Sequence, residues 1–305
     1  MSGTPAMLVS MRTSPPIETA QNRPEAKRCL AAQARLYSDV KRARAIRLGM
    51  MLVLGVVAAS FALAHKHSPI TPAVGIGAFF GNLVLMNRER RRGHLAAAIQ
   101  EEFDCTVFQL SWNDIAVRCR PARQQIAFAA ERYTGDRTSD WYPATGALER
   151  PLDILICQQS NVGWGAPVHR AWAWALILCC AGLAAVVGAA WWVAHLDATE
   201  GLSDLVAPFL ATWSELIQSA LSNRESAQGK EECQQQLLAE WGALLTGATA
   251  TDQRCRRFQD KIVHIRMQNA QVPDWFDERL RARNERAMRT TAADMISQAR
   301  QAGFA

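Results

Sequence analysis

Three long runs of apolar residues interrupt an otherwise polar chain. Residues 46–64 contain one charged side chain, Arg47, and residues 70–86 and 171–194 contain none. An α-helix rises 1.5 Å per residue, so such runs approach or exceed the roughly 30 Å of a bilayer's hydrocarbon layer. The pattern predicts three membrane-spanning helices, of which the second is at the short limit.

A fourth, less apolar segment follows at residues 202–221, which include two acids and a proline. Its polar side chains recur at helical spacing and form one stripe. Such a stripe is typical of a helix that spans a membrane while facing water or other helices, and also of a helix that lies on the membrane surface. We favour spanning, and predict that Thr212, Glu215 and Ser219 line a pore.

Basic residues are distributed unevenly along the chain, which has a net charge of +6. Residues 1–47 contain nine Lys and Arg, residues 87–170 eleven and residues 222–305 thirteen. Basic segments beside membrane helices favour the cytoplasmic side. We therefore expect both chain ends and the middle segment in the cytoplasm. The charge reports topology first, and we expect no binding to DNA.

The aqueous segments at the two ends differ in composition. Residues 1–24 have the Pro, Ser and Thr content of a disordered tail. Residues 25–45 lack Pro and Gly and predict a juxtamembrane helix that continues into the first span. Residues 222–305 carry apolar side chains at helical spacing and predict a cytosolic helical region.

The middle segment, residues 87–170, mixes two periodicities. Apolar residues at every fourth position over 95–103 predict a helix, whereas alternation over 108–112 and the apolar run 152–157 predict two strands. The predicted fold is thus a mainly α membrane protein. It has two transmembrane helix pairs (46–86 and 171–221), a small cytosolic α+β sensor domain between them, and a C-terminal cytosolic helical region.

Several short motifs along the chain, taken in their order, indicate a family resemblance. The chain carries, in this order, "LAAQARLYSDVKRAR", "IQEEFDCTVFQLSWND", "DWYP", "ILICQQSN" and "VPDWFDERLRARNERAM", and the similarity they indicate covers roughly residues 28–300. Together they resemble the bacterial SMODS-associating four-transmembrane effector family. The resemblance implies four spans in the bacterial inner membrane. It also implies an antiphage system in which a cyclic oligonucleotide messenger activates the effector, which damages the host membrane and aborts infection.

A cyclic oligonucleotide needs cations for its phosphates and flat side chains for its bases. The middle domain offers eight candidates: Trp112, Asn113, Arg118, Arg120, Arg123, Trp141, Tyr142 and Trp164. Each aromatic side chain is equally consistent with a core or interface position, and each arginine with a solvated or lipid-facing position. A membrane-anchored scaffold triggered by a protein partner remains the alternative.

Small residues recur on the predicted spans. Gly77 and Gly81 form a Gly-x-x-x-Gly pair, and Ala181, Ala185 and Ala189 form a stripe on the third apolar run. Small side chains allow helices to approach closely in lipid. The residues fit packing within one subunit or between subunits; the sharper hypothesis is a homo-oligomer that encloses a pore.

Catalysis is the weakest interpretation. A thiol hydrolase would require Cys157 with His169, or Cys105 with His94, and neither pair carries a sequence signature. The eight cysteines lack disulfide or metal spacing, and we expect them to be reduced. We expect no enzyme activity, no catalytic residues, no cofactor and no metal.

Overall fold

The computed structural model describes residues 15–64, 70–146, 148–249, 251–268 and 270–304, and gives residues 70–79 as backbone alone. The helices are α1 (Ile17–Ala20), α2 (Pro24–Ala64), α3 (Ile70–Phe108), α4 (Arg123–Glu131), α5 (Leu152–Ala194), α6 (Ala198–Glu200), α7 (Leu210–Leu245), α8 (Asp252–Gln268) and α9 (Asp274–Gln301). A π-helical turn (Gly201–Val206) and a 3-10 turn (Ala207–Phe209) connect α6 to α7. The described residues contain no β-strand.

Four long helices dominate the molecule. α2, α3, α5 and α7 contain 41, 39, 43 and 36 residues. At 1.5 Å per residue each is roughly twice as long as a bilayer's hydrocarbon layer is thick. Each has one apolar part and one polar part. The polar half of the molecule is therefore built largely from the polar parts of the same helices that carry the apolar runs.

Two described helices are long and apolar enough to cross a membrane, α2 and α5. Their most apolar windows have mean hydropathies of 2.1 and 2.2, and only 17% of each window is buried inside the chain. Val186 and Trp192 of α5 are 67% and 81% exposed. Apolar patches of this extent favour contact with lipid. The chain is therefore a membrane protein. The predicted hairpin connection at residues 65–69 lies outside the described residues.

The long helices pack as two pairs, α2 with α3 and α5 with α7. The 3-10 turn joins the pairs, because Phe209 lies so close to Gly55 of α2 that a side chain at position 55 would overlap its ring. In the polar half, Phe103 and Phe108 of α3 and Phe258 of α8 are fully buried in one core. α8 and α9 cover this core, and both lie within the segment 222–305 predicted to be helical.

The strand predicted at residues 152–157 is wrong, because these residues form the first turns of α5. Ile154, Leu155, Ile156 and Cys157 are each 0% exposed. A helix that is enclosed on all sides shows no 3.6-residue periodicity, so its apolar run resembles a buried strand. The middle segment, predicted as α+β, is consequently helical in its described residues.

The strand predicted at residues 108–112 is also wrong. α3 ends at Phe108, and Gln109 adopts a left-handed conformation with φ 57°. The Leu110 amide then donates to the Cys105 carbonyl at 3.1 Å, the bond that closes a Schellman cap. The apparent alternation therefore arises where a helix ends and an irregular segment begins.

The tail predicted over residues 1–24 extends too far, because residues 15–24 pack into the core. Ile17 of α1 is 0% exposed, and Gln21 is 1% exposed. The Gln21 amide accepts from the backbone N–H of Tyr142 at 2.7 Å and donates to its carbonyl at 3.2 Å. Residues 25–45, predicted as a juxtamembrane helix, form the first half of α2.

Candidate functional site

A buried arginine joins three helices where the apolar part of α2 begins. Arg47 is 4% exposed and forms five hydrogen bonds, as many as it has N–H groups. Two reach Glu89 of α3 at 2.9 and 3.4 Å, two reach Glu215 of α7 at 2.8 and 2.7 Å, and one reaches the Asn82 oxygen at 3.0 Å. Arg44 adds a 3.2 Å contact to Glu215. We call these five residues the Arg47 cluster.

The Arg47 cluster is electrically balanced, since two guanidinium groups face two carboxylates. A buried ion pair contributes little net stability, but removal of one partner leaves an uncompensated charge and costs about 3–5 kcal/mol. The cluster therefore fixes the relative positions of α2, α3 and α7. Any rearrangement that separates these helices must supply new partners or water for Arg47.

The predicted pore-lining residues pack against neighbouring helices of the same chain. Glu215 is held in the Arg47 cluster, and Thr212 and Ser219 are 2% and 5% exposed. The Thr212 hydroxyl is buried without a hydrogen-bond partner. In this conformation the stripe thus faces neighbouring helices, and lining a pore would require α7 to move or rotate. The pore role stays a prediction.

The predicted helix-packing residues face outward. Ala181, Ala185 and Ala189 of α5 are exposed, and no heavy atom lies within 4 Å of a side chain built at Gly81. The surroundings of Gly77 lie outside the described residues. These described positions therefore do not serve packing within one chain, which leaves them available to lipid or to another subunit.

A second polar cluster is buried in the polar half of the molecule, around Asp104 of α3. Asp104 is 0% exposed and accepts hydrogen bonds from the Tyr142 hydroxyl at 2.5 Å, from Arg266 at 2.6 Å and from Gln259 at 2.8 Å. Glu101 on the preceding turn accepts from Gln259 at 2.7 Å. Burial, and then the charge of Asp104, raise the pKa of Glu101. The cluster ties α3 to α8 and to the loop that carries Tyr142.

Four of the predicted ligand residues form a local turn on α3 and α8. The Trp112 indole donates to the Val117 carbonyl at 3.2 Å, and the Asn113 side chain accepts from the Ile115 amide at 3.0 Å. Arg120 forms an ion pair with Glu102 at 2.6 Å and lies 5.7 Å from the Trp112 ring centre. Arg118 is exposed on this turn, and Arg123 is exposed at the start of α4.

The remaining predicted ligand residues lie in two other places. Tyr142 is 3% exposed and stacks on Phe103 with ring centres 5.9 Å apart, while Trp141 is 38% exposed beside the same Phe103. Trp164 lies on α5, where Arg281 of α9 covers its ring at 5.8 Å. The structure thus divides the predicted set among separate regions, and Tyr142 has a core role.

Sequence reasoning missed Arg47, Glu89 and Arg266. On the sequence, Arg47 contributes only to the charge asymmetry, and Glu89 lies within "RERRR". A single acid inside a basic run is the signal that identifies Glu89 as a paired residue. For Arg266, the signal is its spacing of seven residues from the buried Gln259, which places both polar side chains on the apolar face of α8.

The two thiol–histidine pairs do not meet. Cys157 and His169 lie twelve residues apart on α5, or ~18 Å along the helix axis, and Cys105 and His94 are similarly separated on α3. Burial raises the pKa of both thiols, which disfavours the nucleophilic thiolate. Neither proposed pair can therefore act as a thiol hydrolase in this conformation.

Comparison with known proteins gives two findings. The family model described as the SMODS-associating 4TM effector domain matches residues 15–295. A probable CBASS effector molecule of Bacillus cereus (strain VD146) is 23% identical over 159 residues, a match that covers 49% of this chain and 54% of the relative. The matched region thus spans about half the length of that curated relative. No solved structure matches the chain.

Proposed function

Because the chain belongs to the SMODS-associating 4TM effector family, we propose that a cyclic oligonucleotide messenger activates it and that the active form permeabilises the bacterial inner membrane. Family membership supports the antiphage effector role. Activation occurs in the cytosolic half, and damage results from a rearrangement of the apolar halves.

The Arg47 cluster carries the mechanistic part of the proposal. It joins α2, α3 and α7 at the boundary between their polar and apolar parts. A ligand that shifts the cytosolic halves strains these ion pairs directly, since the same helices continue into the apolar region. Separation of the cluster exposes Glu215, Thr212 and Ser219 to water and turns the polar stripe of α7 toward a lumen.

Assembly of several chains completes the proposed pore. The outward-facing Ala181, Ala185 and Ala189 on α5 offer a surface on which helices of adjacent subunits approach closely. A homo-oligomer that joins at this surface brings the polar stripes of several α7 helices around one axis. The proposal also places both chain ends in the cytoplasm, in keeping with the distribution of basic residues.

Dye release from liposomes tests the proposed function. Full-length protein reconstituted in vesicles of phosphatidylethanolamine and phosphatidylglycerol is mixed with cyclic di- and trinucleotides, one at a time. We expect one cyclic oligonucleotide to release carboxyfluorescein while its linear form does not. Vesicles that stay sealed with every cyclic oligonucleotide would contradict activation by this class of messenger.

Reporter fusions test the orientation separately. Alkaline phosphatase or green fluorescent protein is joined to the carboxyl end in a bacterial host. We expect fluorescence without phosphatase activity, because green fluorescent protein matures in the cytoplasm and the phosphatase outside it. The opposite pattern places the carboxyl end in the periplasm and refutes the four-span arrangement.

A further inference from the structure

Two cations from two helices lie against one turn of α5 in the cytosolic half, and a third cation from α8 lies near them. Lys230 of α7 lies against Gly165, where any side chain would overlap the lysine ammonium group. Arg281 of α9 lies 5.8 Å from the ring centre of Trp164. Arg266 of α8 is close enough to Lys230 for their charges to repel. We call Trp164, Lys230, Arg266 and Arg281 the Lys230 site.

The hydrogen-bond donors around this turn lack acceptors. Nη2 of Arg266, Nε of Arg281 and Nδ2 of Asn284 are buried without a hydrogen-bond partner. Asn284 lies three residues after Arg281 and shares its face of α9. Lys230 forms no hydrogen bond or ion pair within the described part of the chain. Because all four groups are donors, the missing component is an acceptor.

The charges around Lys230 leave an excess of one positive charge. Asp104 neutralises Arg266 at 2.6 Å, and Asp277 neutralises Arg281 at 2.8 Å. Asp277 also acts on Lys230 from a longer distance, but burial and then repulsion by Arg266 prevail and lower the pKa of Lys230 to about 7.

His169 of α5 is a further titratable neighbour of Lys230, and it also feels the charge of Lys41. Its Nδ1 lies 2.8 Å from Oδ1 of Asn223, and burial, followed by the charge of Lys230, lowers its pKa to about 3. His169 is therefore neutral at physiological pH and neither adds to nor offsets the charge. One bound monoanion would therefore neutralise the excess positive charge on Lys230 and its neighbours.

We propose that the Lys230 site binds a phosphodiester group. The Lys230 ammonium is the counter-ion, and the free N–H groups of Arg266 and Arg281 donate to the phosphate oxygens. The Trp164 indole provides an apolar surface beside them. The inference rests on the proposed function where a cyclic oligonucleotide supplies the phosphodiester. An anionic phospholipid carries the same group, and the apolar run of α5 begins only a few residues later, at position 171.

The location of the site gives ligand binding a structural effect. Pro167 lies inside α5 and has no N–H, so the carbonyl of Gly163 loses its helical hydrogen bond. Gly163 and Gly165 further lower the resistance of this helix segment to bending. A ligand that draws Lys230, Arg266 and Arg281 inward acts on the part of α5 that bends most easily, directly before its apolar half.

Binding measurements on the full-length protein in phosphatidylcholine nanodiscs test the site. The probes are cyclic di- and trinucleotides in one arm, and nanodiscs that contain phosphatidylglycerol in the other. We expect Lys230→Met to weaken binding of at least one probe by ten-fold or more. Lys261→Met is the matched control, because Lys261 lies on α8 with its ammonium on Gln236, and we expect less than a two-fold effect.

Two further readouts separate binding from a general folding defect. Arg281→Gln removes a donor while it keeps a polar side chain, and should also weaken binding by several-fold. Because free Lys230 loses its proton above pH 7, affinity for the probe should fall up to ten-fold per pH unit between pH 7 and 9. Lys230→Met should abolish this dependence while retaining the helical circular dichroism of the wild type.

The possible outcomes are distinct. Equal affinity of the wild type and Lys230→Met overturns the site, as does the absence of Lys230-dependent binding in both arms. Lys230-dependent binding of phosphatidylglycerol alone supports the site with lipid as its ligand. If, in that case, no cyclic oligonucleotide releases dye, messenger activation fails while the site stands.

Discussion

Arg47 is a buried cation and Lys230 a partly buried one, and their partners differ. Arg47 has an acceptor for every N–H group, whereas Lys230 has none within the described residues. Loss of a satisfied charge leaves its carboxylate partners buried and unpaired, which destabilises the fold. Loss of an unsatisfied charge removes a desolvation cost. Substitution of the two residues should therefore change stability in opposite directions.

Arg47→Met should destabilise the protein by about 3–5 kcal/mol, because Glu89 and Glu215 lose their shared partner. Under the proposed function it should also leak dye without a messenger. The control is Arg44→Met, which removes one partly exposed contact to Glu215 and should cost about 1 kcal/mol or less. Thermal unfolding in detergent and vesicle leakage measure both effects. Equal effects of the two substitutions would refute the special role of Arg47.

Lys230→Met should stabilise the unliganded protein by about 1–3 kcal/mol at pH 6. The pKa of Lys230 is lowered from its usual 10.5 to about 7, so the cost of burying its charge is full below pH 7 and declines as the pH rises toward 10.5. The difference between variant and wild type should therefore shrink at pH 9. Melting curves at the two pH values, with Lys261→Met as control, measure it; a difference independent of pH contradicts this origin.

At the scale of elements, the sequence predicts helices well where one face is exposed. The first half of α2 and the amphipathic α8 follow from composition and spacing. The start of α5 does not, since neighbours enclose residues 152–157 completely and their apolar run carries no period. The end of α3 misleads for another reason. A capped terminus followed by an irregular segment imitates strand alternation.

The contact between α2 and the 3-10 turn gives a prediction at this scale. A Cβ atom at Gly55 would lie 2.9 Å from Cδ1 of Phe209 and 3.0 Å from the Pro208 oxygen. Gly55→Val should therefore cost about 1–3 kcal/mol by overpacking. Gly49→Val, in the same helix, meets no heavy atom within 4 Å and serves as the control. Similar melting temperatures for the two variants would show that the helix pairs do not depend on this contact.

At the scale of the whole molecule, the sites escape sequence reasoning because their members are distant along the chain. Glu215 lies 168 residues from Arg47, and Arg266 lies 162 residues from Asp104. Local spacing reveals charged residue types but not which pairs meet. Trp164 is the one predicted ligand residue that the Lys230 site retains, and its cationic neighbours come from α7, α8 and α9. The topology expected from the distribution of basic residues needs only counts and stays a prediction.

Assembly gives a prediction for the whole molecule. Ala185→Trp places a large ring on the small-residue face of α5 and should prevent messenger-dependent assembly, with dye release reduced at least ten-fold. Val186→Trp places the same ring at the adjacent exposed position and is the control. Chemical crosslinking in nanodiscs measures the oligomer. Crosslinked species that persist unchanged in Ala185→Trp would exclude this face as the subunit contact.

Four helices, α2, α3, α5 and α7, run without interruption from the polar into the apolar region. The protein therefore has no domain boundary between these two regions. One residue inserted into such a helix turns everything beyond it by about 100° and advances it by 1.5 Å. A recognition module from a relative therefore cannot be grafted as a cassette. An exchange succeeds only if all four helices are cut at matching helical phase, and we expect length differences among relatives to fall in the connecting loops.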